Sequence, residues 1–329
     1  MKKIATFIAP IHRATVHETL GRGDKLDEFL WLTNDADLIR SRMPARLVQR
    51  IGTHERDATC GAGLVAYAEF SDERYPSSMA TAEALIAVQL LKLHVFVNML
   101  WCVKDNALGV ENGFLDSPDI ISSRIWSMNC TLADGTDCVT TFSRDELRTA
   151  RTLYHKFTDM TEWSGNELNE ALMREVVEPD SIPLNRAIFF IGAARSSSQL
   201  SVKIANYCSA LESLLITSPT ELTYRLCQRV AWLLGESTEE RYELFQQLKD
   251  AYDFRSKVVH GSYTSAKKLR NDLLPSVRAC DTILRGVLGQ VLEDEVLRAY
   301  ILGRTKNSDS FEDRLARITL GADPLSKAE

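Results

Sequence analysis

The sequence predicts a mainly α-helical protein in which an α+β N-terminal domain is followed by an all-α helical bundle. Up to about residue 160, short apolar segments bounded by turn residues alternate with helical patterns. Beyond that point nearly every segment has apolar residues at helical spacing, with short connections. A chain of 329 residues is long enough for two domains. We therefore expect an α+β domain over residues 1–160, a helical domain over 161–302 and a C-terminal helical tail over 303–329.

The N-terminal domain combines strand and helix patterns. An alternating stretch that contains the turn dipeptide Asp134-Gly135 predicts a hairpin. The spacing of Ser143 and Glu146 is that of a capping box, which predicts the start of a helix. The predicted elements are strands at Ile4–Ala9 and Leu64–Phe70, a helix at Met79–Lys104, a hairpin at Ile120–Phe142 and a helix from Ser143 to about Phe157. No motif in this domain resembles a known family, and we expect a sensor or regulatory role for it.

The second part of the chain is predicted to be helical almost throughout. The three serines at 196–198 predict a break between its first two helices, and Gly235 and Gly261 predict helix ends. The predicted helices are Asn185–Arg195, Gln199–Ile216, Pro219–Leu234, Glu239–Val259, Lys267–Leu292, Glu293–Leu302 and Phe311–Leu320.

The bulk composition excludes several classes of protein. The net charge of -6 argues against a protein that coats nucleic acid along a broad surface, although it allows a confined cleft. The seven cysteines form no C-x-x-C pair, so we expect no zinc or redox motif and predict buried free thiols in a reducing compartment.

Neither a signal peptide nor a membrane span is expected. The apolar run near the N-terminus breaks at Pro10 and His12. The longest apolar stretch, Leu85 to Val103, is too polar to span a membrane, because it contains Gln89, Lys92, His94 and Asn98. We therefore expect a cytoplasmic protein.

The most informative stretch runs from Tyr252 to Gly261 and holds Arg255 and His260 five positions apart. An arginine can bind a phosphate through two hydrogen bonds, and a histidine at a helix end can act as general acid or base near neutral pH. Together they could cleave RNA without a metal, with the histidine taking the proton of the ribose 2′-OH. On spacing alone, however, a surface arginine and a helix-capping histidine is the favoured interpretation.

Five positions is not a same-face spacing on a helix. Arg255 and His260 can converge if the helix ends just before His260, which Gly261 supports. They can also form one site if two copies of the chain share it about a two-fold axis. Both arrangements remain open from the sequence.

With its neighbours, the stretch resembles the signature of ApeA-like HEPN domains, in which an arginine, a serine, two apolar residues, a histidine and a glycine close a long helix. The resemblance covers about residues 184–290. Further similar segments are Ala193-Ala194-Arg195, Lys203-Ile204, Ser209 to Leu215 and Arg225 to Ala231.

The resemblance implies a metal-independent endoribonuclease that acts as a homodimer in anti-phage defence or as a toxin. It assigns Arg255 and His260 as catalytic and Ser256 as the polar residue after the arginine, where many HEPN nucleases have Asn, Asp or His. The expected partners are an RNA substrate, a second copy of the chain and a phage-derived or protein trigger, with no membrane. Some HEPN domains have no known nuclease activity, so a non-catalytic interaction or dimerisation module is the alternative.

Other residues near the motif have two interpretations each. Four basic residues could form an RNA-binding rim around the motif, or they could belong to an ordinary solvated helix face; they are Lys257, Lys267, Lys268 and Arg270. Glu212 could orient Arg255 or His260, or it could form a satisfied ion pair within the bundle, for which Arg229 is one candidate partner. We favour the ion pair. The histidines have no ligand-like spacing and the glycine pairs lack a phosphate-loop setting, so we expect no metal and no cofactor.

Overall fold

The computed structural model describes residues 3–160, 181–218, 220–259 and 266–322. Within these ranges the protein is α+β, with 12 α-helices and a six-stranded antiparallel sheet, which confirms the predicted class. The chain forms two compact units. The first contains residues up to Cys130 and Asp137–Asp159, and the second contains Thr131–Thr136 and the helices that follow residue 182. The predicted boundary near residue 160 stays a prediction, because residues 161–180 lie outside the described ranges.

The first unit is built on the six-stranded sheet, whose strand order is β3-β4-β5-β1-β6-β7. A separate parallel pair joins β2 to β8. The strands predicted at residues 4–9 and 64–70 are confirmed as β1 and β5, which pair with each other at the centre of the sheet. The strands are β1 (Ile4–Pro10), β2 (Ala14–Val16), β3 (Asp24–Lys25), β4 (Trp31–Thr33), β5 (Val65–Ser71), β6 (Gly109–Asp116), β7 (Ile121–Asn129) and β8 (Thr140–Phe142).

Helices cover both faces of this sheet. On one face, Ile8 and Phe114 pack in a core cluster with Ile39 and Leu47 from the short helices. On the other face lies the long helix α4, and a side chain at Gly113 would lie only 2.8 Å from Ile86 of that helix. The helices of this unit are α1 (Ala36–Ser41), α2 (Ala45–Ile51), α3 (Thr53–Cys60), α4 (Met79–Val103) and α5 (Arg144–Met160).

Helix α4 is the one helix in the described ranges that is long and apolar enough to cross a membrane by length and composition. Two thirds of its most apolar window is buried inside the protein. Its Lys92 forms an ion pair with Asp27 at 2.6 Å. These are the features of a core helix in a soluble protein, because its apolar surface is already covered by protein.

The hairpin predicted at Ile120–Phe142 is wrong. Strand β7 pairs with β6, whereas β8 pairs with β2. The predicted turn does form, with Gly135 at a φ of +80°. Its loop, however, belongs to the second unit, where the Thr131 amide donates to the Arg195 carbonyl at 2.7 Å. Alternating polarity indicates that a segment is a strand, but it does not indicate which strand is its partner.

The second unit consists of helices close to the predicted boundaries. Gly235 ends α8 with an extended backbone, and a side chain there would lie 2.6 Å from Arg241. This close approach, and not a left-handed turn, requires the glycine. The helices are α6 (Pro183–Arg195), α7 (Leu200–Leu215), α8 (Leu222–Leu234), α9 (Thr238–Val259), α10 (Ala266–Glu293), α11 (Glu295–Ile301) and α12 (Ser308–Thr319).

The C-terminal helix α12 packs on this unit. Phe311, Leu315 and Ile318 are buried, and they lie on one side of the helix at spacings of three and four. Next to them, Glu312 accepts hydrogen bonds from Arg225 and Arg229 of α8. The segment predicted as a tail is therefore part of the apolar core and of the ion-pair network of this unit.

Candidate active site

Arg255 lies on α9 one turn before the helix ends at Val259. Its side chain is 32% exposed. The guanidinium is thus partly desolvated, which strengthens its electrostatic interactions, and it still has a solvent-facing side on which a ligand could bind. An arginine with these properties can bind an anion from solution.

A carboxylate from a neighbouring helix holds this arginine. Glu212 of α7 forms an ion pair and hydrogen bond with the Nη1 of Arg255. The same oxygen, Oε1, accepts a hydrogen bond from the Tyr252 hydroxyl at 2.7 Å. The Arg255 guanidinium lies 5.7 Å from the centre of the Tyr252 ring. Residues of two helices therefore hold the guanidinium: Glu212 of α7 and Tyr252 of its own helix α9.

Glu212 forms an ion pair within the bundle, as favoured from the sequence, but its partner is Arg255 and not Arg229. Arg229 bonds instead to Glu312 and to the Leu215 carbonyl. The other interpretation, in which Glu212 orients Arg255, matches the observed contacts. From the sequence alone the partner of Glu212 could not be chosen, because both arginines lie on helices that pack against α7.

Electrostatics keep both donors of this cluster protonated. Burial opposes the charge on Arg255, but the Glu212 carboxylate outweighs burial and raises the pKa of the arginine. Burial, with the Cys208 thiol and the Glu212 carboxylate, raises the pKa of Tyr252. The guanidinium therefore remains a cation and the phenol a neutral donor throughout the physiological pH range.

Tyr252 is the residue of this cluster for which no role was predicted from the sequence. It precedes Arg255 by three positions, which places the two side chains on one face of α9. An aromatic residue three positions before the motif arginine is the signal that could have identified it.

Two further motif residues on α9, Ser256 and Lys257, face the solvent. Ser256 and Lys257 are exposed on the last turn of the helix. The Lys257 ammonium lies 5.3 Å from the centre of the Phe254 ring. Both side chains are open to a ligand that approaches the end of α9.

The remaining predicted site residues fall where the structure gives no side-chain description. His260 and Gly261 lie outside the described residues, so the convergence of Arg255 and His260 stays a prediction. Lys267, Lys268 and Arg270 lie in the first turns of α10, outside the ranges whose side chains are described. Their proposed contact with RNA is likewise untested.

The described part of the chain contains no cluster of three or more His, Cys, Asp or Glu side chains that could hold a metal ion. All seven cysteines are free thiols. Five of them are buried, Cys102 is half-buried and Cys138 is exposed. Burial raises the pKa of Cys227 to about 12, so this thiol is not a nucleophile at neutral pH.

Comparisons with protein-family models, with curated proteins and with solved structures found no match to this chain.

Proposed function

We propose that this chain is a metal-independent endoribonuclease of the ApeA-like HEPN type. The observation that carries the proposal is the Glu212–Tyr252–Arg255 cluster. It holds a partly exposed guanidinium in a fixed orientation at the end of the helix that carries the Arg–His motif. Preorganised charge of this kind stabilises a transition state because no reorganisation is needed when the reaction occurs.

In the proposed reaction His260 accepts the proton of a ribose 2′-OH, and the 2′ oxygen attacks the adjacent phosphorus. Arg255 offsets the negative charge that grows on the phosphoryl oxygens. The bond from phosphorus to the 5′ oxygen breaks, and the leaving oxygen takes up a proton. The products are a 2′,3′-cyclic phosphate and a 5′-hydroxyl end. In this proposal Ser256 and Lys257, which are exposed near Arg255, contact the RNA backbone.

The wider assignment belongs to the same proposal. Two copies of the chain would share the site, with the end of α9 from each copy contributing its Arg255 and His260. The first unit would sense a phage-derived or protein trigger and restrain the nuclease until then. We place the protein in the cytoplasm, in anti-phage defence or as a toxin.

A non-catalytic interaction module is the second candidate, and two observations favour it. The Nη1 of Arg255 is already engaged by Glu212, as in a purely structural ion pair. In addition, Tyr224 and Tyr242 are exposed on α8 and α9, and large exposed aromatic side chains are typical of surfaces that bind a partner.

Expression of variants in a sensitive host separates the two candidates. The nuclease proposal expects Arg255→Ala and His260→Ala each to abolish toxicity and RNA cleavage, while Lys249→Ala, an exposed change on the same helix, leaves both unchanged. If Arg255→Ala and His260→Ala fold normally and remain as toxic as the wild type, the site assignment is wrong.

A further inference from the structure

Strand β7 is a long open edge of the six-stranded sheet. The opposite edge, β3, has only two residues, whereas β7 has nine. Within the described ranges β7 pairs with β6 alone. Its outer side therefore presents backbone donors and acceptors that an extended segment could pair with.

The two halves of this edge differ in how strongly they are protected against pairing with another strand. The pairs Val110–Met128 and Asn112–Ile125 advance two residues on β6 but three on β7, so β7 carries a bulge after Ile125. A bulge twists an edge and blocks further pairing. The half before it, Ile121–Ile125, pairs in regular register, contains no proline and has one charged residue, Arg124.

The regular half also exposes apolar surface. The Ile125 side chain is 78% exposed. Ser123 pairs with Phe114, so Ile121, Ser123 and Ile125 share one face of the sheet. Ser123 and Arg124 are exposed as well, on opposite faces. The exposed part of the segment is thus its end from Ser123 to Ile125, whereas Ser122 is buried and Ile121 is partly buried against the core cluster.

The residues of this segment match a second copy of themselves in one antiparallel register. With a two-fold axis at Ser123, Ile121 of each copy lies opposite Ile125 of the other, and Ser122 lies opposite Arg124. A register centred on Arg124 would place two guanidiniums opposite each other, which is unfavourable. A register centred on Ile125 would extend into the bulge. Charge and backbone geometry therefore favour the axis at Ser123 over the axes at Arg124 and Ile125.

We infer that residues Ile121–Ile125 form a two-fold strand pair with a second copy of this chain, which joins two six-stranded sheets into one. The pairing covers both exposed Ile125 side chains. This pairing is separate from the helical dimer of the proposed nuclease, so a result that excludes one interface leaves the other untouched.

Cysteine cross-linking tests the register directly. In a Cys138→Ser background, which removes the exposed native thiol, Ser123→Cys would place two cysteines opposite each other, at Cα separations that a disulfide can bridge. Ser127→Cys is the matched control, since its two copies would lie about 26 Å apart in this register. Mild oxidation of the full-length protein should then cross-link the residue-123 variant at least tenfold more efficiently than the residue-127 variant. Equal cross-linking of the two, or none by either, would overturn the inference.

A second measurement does not depend on an engineered thiol. Ile125→Lys places a charge on each copy in the paired strand, and it should halve the mass of the assembly measured by light scattering. Val139→Lys, at an exposed apolar position outside β7, should leave that mass unchanged. If Ile125→Lys keeps the wild-type mass at every concentration tested, β7 does not pair.

Discussion

The carboxylate of Glu212 binds two donors at once, the Arg255 guanidinium and the Tyr252 hydroxyl. It is itself only 20% exposed. Removal of its charge leaves the guanidinium partly buried without a counter-ion and free to change orientation. In the proposed mechanism, a displacement of Arg255 by about 1 Å would be enough to lower the rate strongly.

Glu212→Gln should therefore reduce RNA cleavage by roughly tenfold or more, because the neutral amide holds the arginine less firmly. The loss is expected in kcat, with little change in thermal stability because glutamine can still accept from Tyr252. Glu243→Gln, an exposed change on α9, is the control and should cleave like the wild type. Unchanged kcat in Glu212→Gln would show that the cluster does not position Arg255 for catalysis.

His94 on α4 is buried, and burial lowers its pKa to about 4, with partial compensation from the backbone carbonyls of Val110 and Trp126. The folded state thus binds this proton less readily than the unfolded chain, in which the pKa is about 6.5. The stability from a neutral His94 is fully present above pH 6.5 and is lost as the pH falls towards 4. From pH 7 to pH 5 the loss from this residue should be about 2 kcal/mol.

Urea unfolding at both pH values measures this loss. Because carboxylates also titrate in the range, the informative quantity is the difference between variants. His94→Gln should show a smaller drop in the free energy of unfolding than the wild type, and His54→Gln, at an exposed position, should show the full drop. Identical drops in all three proteins would contradict the buried neutral state of His94.

Among the elements, α12 is attached through Glu312, which lies against Arg225 and Arg229 of α8. The Arg229 side chain is only 7% exposed and Glu312 is 29% exposed. Glu312→Ala should lower the free energy of unfolding by about 2–3 kcal/mol, because it leaves a buried guanidinium without its charged partner.

The neighbouring residue supplies the control for this change. Asp313 pairs with Arg317, and both side chains are more than half exposed. Asp313→Ala should change the free energy of unfolding by less than about 0.5 kcal/mol. Equal effects of the two substitutions in urea unfolding would show that the Glu312 network contributes no more than a surface ion pair.

Among the helices and strands, some could be predicted from the sequence and others could not. Helices such as α4 and α9 were confirmed because a long apolar period is visible in a single chain. The short helices α1 to α3 were not predicted, since six to eight residues hold too few turns to establish a period. Strand partners were also missed, because pairing depends on residues far apart in sequence.

The candidate site was also only partly predictable from the sequence. Arg255 could be identified because its neighbours along the helix form a recognisable pattern. Its contact with Glu212 bridges 43 positions. Sequence spacing offers no rule for a contact over that distance, and the candidate partner for Glu212, Arg229, was wrong for this reason.

At the scale of the whole molecule, the chain forms two compact units, and the proposed function gives each unit a separate task. The second unit holds the Glu212–Tyr252–Arg255 cluster, and the first has an open sheet edge and no motif that points to catalysis. In the proposed function the helical units supply the nuclease, and the inferred β7 pairing joins copies through their sheets. A protein with both interfaces should form assemblies larger than a dimer.

The central claim is RNA cleavage without a metal, and purified protein incubated with a mixed RNA pool in EDTA tests it most directly. The account predicts that the wild type cleaves the RNA and leaves 2′,3′-cyclic phosphate ends, whereas His260→Ala leaves the RNA intact. Cleavage that persists in His260→Ala would contradict the account, as would cleavage that requires a divalent ion. The absence of cleavage by wild-type protein, even with lysate from phage-infected cells added as a source of trigger, would favour the non-catalytic module.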